Sequence, residues 1–485
     1  MSIYIGLDVG TTSLSALALD TRAGRVIAQV SSANDAASTR MGRSGQLYAE
    51  LDLARLEHLL MDVLEQLAWR LPDAGRVRAI GMTGQQHGLA LFSRELEPLG
   101  PAITWQDQRI LEPTGAGDET YLDALLRQAG GQGAFANMGC LPAPGYMGVS
   151  LYWLSQRSEL PVQATYACLI PDAALTLLTR TPPCTDPTDA GSSGLFDIVR
   201  SDWDWQLIER LGLPGELFVP VRPAGSAHAP LSPEAAERTG LGRVPVCVAA
   251  GDNQASFLGS VRDPASCLLI NMGTGGQVSA RVDAFQRLPE IETRAFFGGG
   301  YLLVGAGLYG GRAYAYLRDF YREVGVALWG ADPSTELYEK MNALAAQVPP
   351  GCDGLRCEPL FTGTRSNPNL RASFSGIGPT NMRPGHFARA LLEGLAEGMH
   401  ALYREMRPAV GERDTLVGAG NAITRNPLLA EILAQRFGQD LHVAAHVEAA
   451  ALGAALLACA GVGDKSLAEV SQRVSYDRVV SAQPG

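Results

Sequence analysis

The sequence predicts an α/β protein of two lobes that face each other across a cleft. Nearly the same turn occurs twice, more than half the chain apart, as Leu7-Asp8-Val9-Gly10-Thr11-Thr12 and as Ile270-Asn271-Met272-Gly273-Thr274-Gly275. Because that separation is too long for a local repeat, we expect each copy to lie in its own lobe. Each copy runs from an apolar strand into a polar residue and a glycine, which suits a tight hairpin whose N–H groups approach an anion. Two such hairpins facing each other would form a phosphate clamp.

Chain length and composition also favour two large domains. The 485 residues exceed the usual size of one domain, and 46% hydrophobic with 18% charged residues suffice for two cores. Residues 181–245 are rich in proline and glycine and lead up to the boundary between the lobes. We therefore predict domains 1–244 and 245–485, the second opening with the apolar strand at 246–250.

Hydrophobic periodicity predicts the elements of both lobes. Residues 3–19 predict a hairpin around Gly10, and leucine and valine recur at helical spacing over 53–67. A strand over 77–82 ends in the polar turn Gly84-Gln85-Gln86-His87-Gly88, and a later apolar run ends at Trp105-Gln106-Asp107-Gln108-Arg109. Both polar clusters follow strands, where α/β sheets collect ligands. In the second lobe we expect helices over 386–407 and 427–437.

Charge and lysine content exclude several function classes. A net charge of -11 disfavours a nucleic-acid or membrane-surface partner, and a small-molecule partner fits better. Lys340 and Lys465 are the only lysines, and no Gly-Lys-Ser/Thr exists, so the chain has no Walker A loop. Neither lysine has the strand context expected of a protein kinase.

The cysteines and the apolar segments favour a cytoplasmic protein. The eight cysteines include no Cys-x-x-Cys pair, so they predict buried apolar residues in a reducing compartment. Met-Ser-Ile-Tyr-Ile reads as a first strand and not as a signal peptide. The longest apolar stretch, 449–462, is short for a bilayer span. The oligomeric state is left open, a homodimer included.

Two carboxylates are candidates for chemistry. Asp8 would hold a hydrated magnesium ion beside phosphates, or it would simply form an Asx turn. Asp252 follows an apolar strand and precedes a helix, so it would either accept a proton from an attacking hydroxyl or cap the helix. Asn253 and Gln254 add polar side chains that a simple cap does not require.

Other polar groups have a binding and a structural interpretation. His87 would bind a sugar hydroxyl or be a structural histidine. Trp105, Asp107 and Arg109 combine an apolar face, an acceptor and a fork of donors, as a sugar pocket does, but they also fit a core tryptophan and a surface ion pair. Residues Gly418, Gly420 and Asn421 would support an adenine or ribose, or cap a helix.

A dinucleotide-binding dehydrogenase is the rival enzyme class. Gly305-Ala306-Gly307-Leu308-Tyr309-Gly310 fits the pattern Gly-x-Gly-x-x-Gly. In a chain with 55 glycines such a match is weak evidence, and it leaves the duplicated hairpin unexplained.

Taken together, these motifs resemble the FGGY carbohydrate kinases of the actin-like ATPase superfamily. The resemblance runs through most of the chain, including Glu448-Ala449-Ala450-Ala451-Leu452-Gly453 near its end. It implies two ribonuclease H-like lobes around a central cleft, with ATP and Mg²⁺ as cofactors and a ketose as substrate. It assigns catalysis to Asp252 and metal binding to Asp8. The residues assigned to the sugar are Gln86, His87, Trp105, Asp107, Arg109 and Asn253. The residues assigned to ATP are Gly10, Thr11, Thr12, Ser13, Gly273, Thr274, Gly275, Gly418, Gly420, Asn421 and Asn426.

Within the family, the turn at 84–88 and the Trp-x-Asp-x-Arg group resemble the ketose branch. Ser150 stands where many members carry a lysine, and this resembles the sedoheptulokinase-like group, as does the run 420–426. The segment Gly363–Gly376, with Thr364-Arg365 and Asn367-Pro368-Asn369, is closer in length to xylulokinases. We therefore expect a sedoheptulose kinase, with a xylulose kinase as the alternative. A non-catalytic sugar sensor that clamps nucleotide is the alternative of another class.

Overall fold

A computed structural model describes residues 2–115, 117–330, 332, 336–361, 363, 367, 369–463 and 465–483. The elements up to residue 260 are β1 (Ile3–Val9), β2 (Ser13–Asp20), β3 (Arg25–Ala33), β4 (Ala37–Met41), β5 (Leu47–Leu51), α1 (Leu53–Arg70), β6 (Val77–Gly84), β7 (Ala90–Phe92), β8 (Ala102–Ile103), α2 (Tyr121–Ala129), α3 (Met147–Gln156), β9 (Tyr166–Cys168), α4 (Ile170–Thr179), α5 (Pro187–Ala190), β10 (Phe196–Asp197), β11 (Asp202–Trp203), α6 (Trp205–Arg210), β12 (Ala227–Pro230), α7 (Pro233–Thr239), β13 (Pro245–Cys247), β14 (Ala250–Gly251) and α8 (Asp252–Ser260).

The remaining elements are β15 (Cys267–Met272), β16 (Gly275–Val282), β17 (Ile291–Ala295), β18 (Tyr301–Tyr309), α9 (Gly311–Trp329), α10 (Leu337–Ala346), β19 (Arg356–Glu358), β20 (Ser373–Ser375), α11 (Pro384–Val410), β21 (Thr415–Ala419), α12 (Asn421–Thr424), α13 (Pro427–Phe437), β22 (Leu441–Ala444), α14 (Ala449–Val462), α15 (Leu467–Ser471) and β23 (Tyr476–Val480). The hairpin over 3–19, the strand over 77–82 and the three predicted helices are confirmed.

Each lobe is built on a mixed sheet with the same central arrangement. The first sheet has the order β12-β13-β6-β1-β2-β3, with β14 also on β6, and the second has the order β17-β18-β16-β15-β21-β22-β23. In each, the first strand of the repeated hairpin pairs antiparallel with the second and parallel with a later strand. Asp8 and Asn271 are both the next-to-last residue of that first strand. The predicted two-lobed α/β fold is confirmed.

The first sheet extends beyond the predicted domain boundary. Val246 pairs in parallel with Ile80, and Ala250 with Thr83, so β13 and β14 belong to the first lobe. The second sheet begins only at Cys267. The boundary between residues 244 and 245 therefore falls inside the first sheet. An apolar run shows that a strand is buried, but it does not show which sheet the strand joins.

Helix α14 comes from the end of the chain and packs on the first sheet. A Cβ on Gly6 would lie 1.8 Å from the Ala451 carbonyl oxygen, and one on Gly81 would lie 1.9 Å from that of Ala454. Only glycine allows this close approach. The helix is buried along most of its length. Its first turn follows Glu448, which is thereby brought near Asp8.

Two further expectations can be compared with the structure. Gly305 and Gly307 lie within β18 and not in a turn between a strand and a helix, so the dinucleotide-binding interpretation is wrong. Seven of the eight cysteines are buried, as predicted: Cys168, Cys184, Cys247, Cys267, Cys352, Cys357 and Cys459. Within the described ranges, no helix is both long and apolar enough to cross a membrane.

Candidate active site

Asp8 lies near two other carboxylates at the end of β1. Its Oδ1 atom is buried and has no hydrogen-bond partner in the described part of the chain. Burial, followed by the negative charges of Asp252 and Glu448, raises the pKa of Asp8 to about 8. A concentration of negative charge with an unpaired carboxylate oxygen suits a divalent cation.

The donor set around Asp8 fits Mg²⁺ only in part. Among the residues described, no group of three or more His, Cys, Asp or Glu side chains is arranged to hold a metal ion. Mg²⁺ usually keeps several waters and binds through one or two carboxylates together with substrate phosphates. Asp8 therefore fits a magnesium ion whose other ligands are water and phosphate oxygens.

The first phosphate hairpin is held in place from two sides. Asn34 donates from its backbone N to the Thr12 carbonyl at 3.0 Å and from Nδ2 to the Gly10 carbonyl at 2.8 Å. Trp105 Nε1 donates to Thr11 Oγ1 at 2.9 Å. A Cβ on Gly10 would lie 2.7 Å from the Ser13 carbonyl oxygen, so the turn requires glycine. Trp105 thus connects the predicted sugar side to the predicted phosphate side.

The second hairpin borders a cavity of about 510 Å³. Gly311 N, at the start of α9, donates to the Gly273 carbonyl at 2.8 Å, and Gly310 N donates to that of Thr274 at 3.1 Å. The cavity is lined by Asn271, Gly273, Thr274, Gly275, Gly276, Gln277, Ala306, Gly307 and Arg312. Arg312 adds a positive charge to this cavity. The sequence did not indicate this residue, because it lies more than 35 positions after the hairpin at 273–275 that it faces.

A second cavity of about 660 Å³ shares Gly273 and Thr274 with the first. Asn421 and Asn426 line it together with Tyr314, Tyr338, Asn342 and Arg425, and the two tyrosine rings stack at 6.0 Å. Both Tyr314 OH and Asn426 Nδ2 donate to Asn342 Oδ1, at 2.8 and 3.1 Å. An aromatic and amide lining of this size suits a nucleoside. The tyrosines and Asn342 carried no local sequence signal.

The glycines before α12 differ in role. Gly420 has φ +86°, and a Cβ there would lie 2.5 Å from the Met272 carbonyl oxygen. It therefore lets the α12 turn pack directly on the second hairpin. Gly418 lies inside β21, where a Cβ would lie 3.0 Å from Ile423 Cγ2. Gly418 thus allows close packing within the lobe, and neither glycine is among the described residues that line the cavity.

The polar turn after β6 joins the two lobes. Gln86 Nε2 donates to the Thr188 carbonyl at 2.8 Å, and Gln86 Oε1 accepts from Arg294 Nη1 at 2.9 Å. His87 has φ +77°, and its Nδ1 lies 2.8 Å from the Ser192 carbonyl oxygen, so Nδ1 carries the proton. The imidazole stacks on Tyr146 at 4.1 Å. The orientation of His87 is therefore fixed before any ligand binds.

Asp107 and Arg109 are bonded to each other and to the wall of the cleft. Arg109 Nε donates to Asp107 Oδ1 at 2.8 Å, and Ala49 N donates to Asp107 Oδ2 at 2.8 Å. Arg109 Nη2 also donates to Glu50 at 2.7 Å. Asp107 is 1% exposed, and both of its carboxylate oxygens accept from protein donors. The pair holds β5 and the segment after β8 together, whereas Trp105 is 44% exposed.

Asp252 begins α8, immediately after β14. Burial raises its pKa to about 6, and the positive charge of Arg294 opposes that rise. Asn253 Nδ2 donates to Gln277 Oε1 at 2.9 Å, and Gln254 Nε2 donates to the Ala295 carbonyl at 3.1 Å. Residues beside Asp252 are thus bonded to the second lobe. A half-buried carboxylate with a raised pKa is suited to accept a proton.

Arg294 and Thr188 are further residues that the sequence analysis missed. Arg294 lies on β17 and pairs with Glu292 at 2.6 Å. Thr188 Oγ1 accepts from Gly251 N at 3.0 Å and thereby supports the residue before Asp252. The polar run Asp186-Pro187-Thr188-Asp189 was a visible signal, whereas nothing in the β17 sequence indicated which lobe Arg294 contacts.

Family models cover nearly the whole chain. The N-terminal domain model of the FGGY family of carbohydrate kinases matches residues 3–259, and the C-terminal domain model matches residues 268–462. The chain belongs to the FGGY family. This FGGY protein is therefore a carbohydrate kinase, and the phosphate donor in the family is ATP.

Individual relatives of this FGGY kinase act on different acceptors. The chain is 26% identical to the sedoheptulokinase of Mus musculus, over 94% of this chain and 97% of that protein. It is 29% identical to the glycerol kinase of Thermus brockianus, over 97% and 92%. The crystal structure of xylulose kinase from Rhodospirillum rubrum matches its fold with a TM-score of 0.84 at 24% identity, over 99% of this chain and 94% of that one. Identity alone therefore does not select the acceptor.

Proposed function

We propose that this FGGY kinase transfers the γ-phosphoryl group of MgATP to a primary hydroxyl of an open-chain ketose, with sedoheptulose as the preferred acceptor. The observation that carries the proposal is the position of Asp252. Asp252 follows Gly251, which pairs with Gly84 at the start of the polar turn, and its negative charge acts on the buried Asp8 of the first hairpin. A proton acceptor between a phosphate site and a polyol site is what phosphoryl transfer to a hydroxyl requires.

The donor would lie along the two cavities of the second lobe. We assign adenosine to the tyrosine and asparagine cavity, with Asn421 and Asn426, and the phosphates to Gly273, Thr274 and Gly275 and to the facing turn of Gly10, Thr11, Thr12 and Ser13. Mg²⁺, held by Asp8 through water and phosphate oxygens, would neutralise the charge of the phosphates. Arg312 would add a positive charge at the same cavity.

The acceptor hydroxyl would be aligned by Asp252. The transition state of phosphoryl transfer is loose, so alignment and charge neutralisation matter more than a strong base. The hydroxyl oxygen forms a bond to the γ-phosphorus while the bond from that phosphorus to the leaving ADP oxygen breaks. The hydroxyl proton passes late to the Asp252 carboxylate. Closure of the lobes would exclude water, which otherwise competes as an acceptor.

The remaining polar groups would recognise the sugar. We assign the sugar hydroxyls to Gln86, His87, Trp105 and Asn253; the Oδ1 atom of Asn253 is buried with no hydrogen-bond partner within the described ranges and is available to a ligand. Asp107 and Arg109 would act by holding this wall in place. A site with fixed donors and acceptors rejects analogues that lack the matching hydroxyls.

The choice of sedoheptulose rests on the resemblance at Ser150 and at 420–426. A xylulose kinase is the second candidate, because the segment 363–376 is closer in length to xylulokinases. Thr364, Arg365 and Pro368 of that segment lie outside the described residues. The presence of Asp252 argues against a non-catalytic sensor, which would need no proton acceptor there.

A coupled ADP-release assay on sedoheptulose, xylulose, ribulose and glycerol tests the proposal. We expect the highest kcat/KM for sedoheptulose and poor turnover of glycerol. A clear preference for xylulose would replace the acceptor and leave the ketose kinase standing. A preference for glycerol would overturn both, and no ADP release with any acceptor would favour the sensor.

A further inference from the structure

A small cavity lies next to Thr11 of the first hairpin, outside both nucleotide cavities. It measures about 100 Å³ and is lined by Thr11, Ala37, Ser38, Thr39, Ala49, Glu50, Gln85, Thr104 and Gln106. A site needs roughly 10–15 Å³ of such volume to hold one water, so the cavity has room for several waters or for a small polar group of a ligand. It is much smaller than the two nucleotide cavities of about 510 and 660 Å³.

Gln85 is the most unusual residue of this cavity. Its side chain is 2% exposed, and neither Nε2 nor Oε1 has a hydrogen-bond partner among the residues described. Its backbone N is bonded to the Val9 carbonyl at 2.9 Å, which fixes the residue in place. Leaving a buried amide unpaired is costly, so the two atoms require a partner from outside the chain.

The chemistry of the cavity selects a neutral hydroxylated partner. Nε2 can only donate and Oε1 can only accept, and neighbouring hydroxyl groups satisfy both because each hydroxyl donates and accepts. No lysine, arginine or histidine is among the described residues that line the cavity, and Glu50 on the same wall already accepts from Arg109 Nη2 at 2.7 Å, so the lining offers no cation to bind a phosphate or a carboxylate. Thr104 and Thr11 supply further hydroxyl groups on the lining.

The cavity also lies within reach of the reaction centre. Gly84, the residue before Gln85, pairs in parallel with Gly251, the residue before Asp252. Neighbouring strands are roughly 4.8 Å apart, so Gln85 and Asp252 follow adjacent backbone positions at the end of the sheet. Trp105 lies next to the cavity without lining it, because its indole N–H donates to Thr11 Oγ1 at 2.9 Å and Thr11 is a lining residue.

We propose that this cavity binds the hydroxylated end of the ketose opposite to the carbon that is phosphorylated, and that Gln85 determines specificity for free hydroxyl groups at that end. The inference rests on the proposed function and deepens it. Gln85 differs from Gln86, whose amide atoms already bond to Thr188 and Arg294. It follows that a ketose already phosphorylated at the far end would be a poor acceptor.

The test combines a change in the enzyme with a change in the substrate. Gln85→Met keeps the length of the side chain and removes the amide. Kinetics would be measured with xylulose and with 1-deoxyxylulose, which lacks one hydroxyl at the end opposite to the phosphorylated carbon. We expect the wild type to prefer xylulose by about 10-fold or more in kcat/KM, and Gln85→Met to lose most of that preference. The KM for ATP should stay within about twofold.

A matched control and a second variant keep the outcome interpretable. Gln163→Met makes the same change on the surface and should leave the preference unchanged. If Gln85→Met does not fold, Gln85→Glu keeps the acceptor and loses the donor, and it should also reduce the preference. A wild-type preference that persists in these variants would overturn the cavity inference alone. A wild type that phosphorylates no ketose would overturn the proposed function, and the inference with it.

Discussion

Gly453→Ala tests whether helices α8 and α14 are in backbone contact. A Cβ on Gly453 would lie 1.9 Å from the Ala255 carbonyl oxygen, whereas ordinary contact begins at 3.4 Å, so the helices must separate by about 1.5 Å. Alanine favours the helix over glycine by about 1 kcal/mol. Overpacking against backbone atoms, which have no rotamer to change, costs roughly 3 kcal/mol. We expect a net loss of about 2 kcal/mol in the free energy of unfolding, since the second effect is larger.

The same substitution should reduce catalysis. Helix α8 begins at Asp252 and α14 follows Glu448, so separating the helices moves two of the three carboxylates of the site. Calorimetry should show a Tm lower by roughly 4–8 °C if the first lobe unfolds as a unit, and kcat should fall more than the KM for ATP rises. Gly133→Ala is the control, because nothing lies within 4 Å of its Cβ position. If Gly453→Ala were as stable as the wild type, the proposed close packing of α8 and α14 would be refuted.

Three further substitutions test the roles of the cleft residues. Asp252→Asn should lower kcat by roughly 10²- to 10⁴-fold, with a smaller change in the KM for the sugar, because a general base is lost. Steady-state kinetics on the folded variant test this, and full activity would contradict the assignment of Asp252 as the base. Asp8→Ala should abolish magnesium-dependent turnover and leave sugar binding largely intact. Calorimetric titration with sugar and with MgATP tests this; if Asp8 contacted the sugar, the variant would lose sugar binding and keep MgATP binding. Arg294→Met removes the donor to Gln86 Oε1 and should lower kcat/KM for the ketose by about 10-fold, and Arg294→Lys should retain more activity. Equal activity in the wild type and both variants would show that this contact between the lobes is dispensable.

The sequence by itself determined the features that depend on neighbouring residues. The repeated hairpin is visible because glycine and hydroxyl residues mark a tight turn after an apolar strand. Helix α13 spans the predicted residues 427–437, and in the structure Asn426 caps it, Pro427 starts it and Gly438 follows it with φ +66°. The order of these motifs along the chain also indicated the family. All these signals act within a few residues along the chain.

The tertiary structure decided which distant residues meet. The apolar stretch 449–462 indicates a buried helix, but only the fold shows that it packs on Gly6 and Gly81 of the first sheet. The same holds for Arg294, whose contact with Gln86 joins residues 208 positions apart. Gln85 and Gln86 are identical neighbours in the sequence, yet both amide atoms of Gln86 are hydrogen-bonded, whereas those of Gln85 are buried and have no partner among the described residues. Local propensity acts over about four residues, whereas burial and hydrogen bonding depend on which strands and helices pack together, so no local pattern distinguishes the two glutamines.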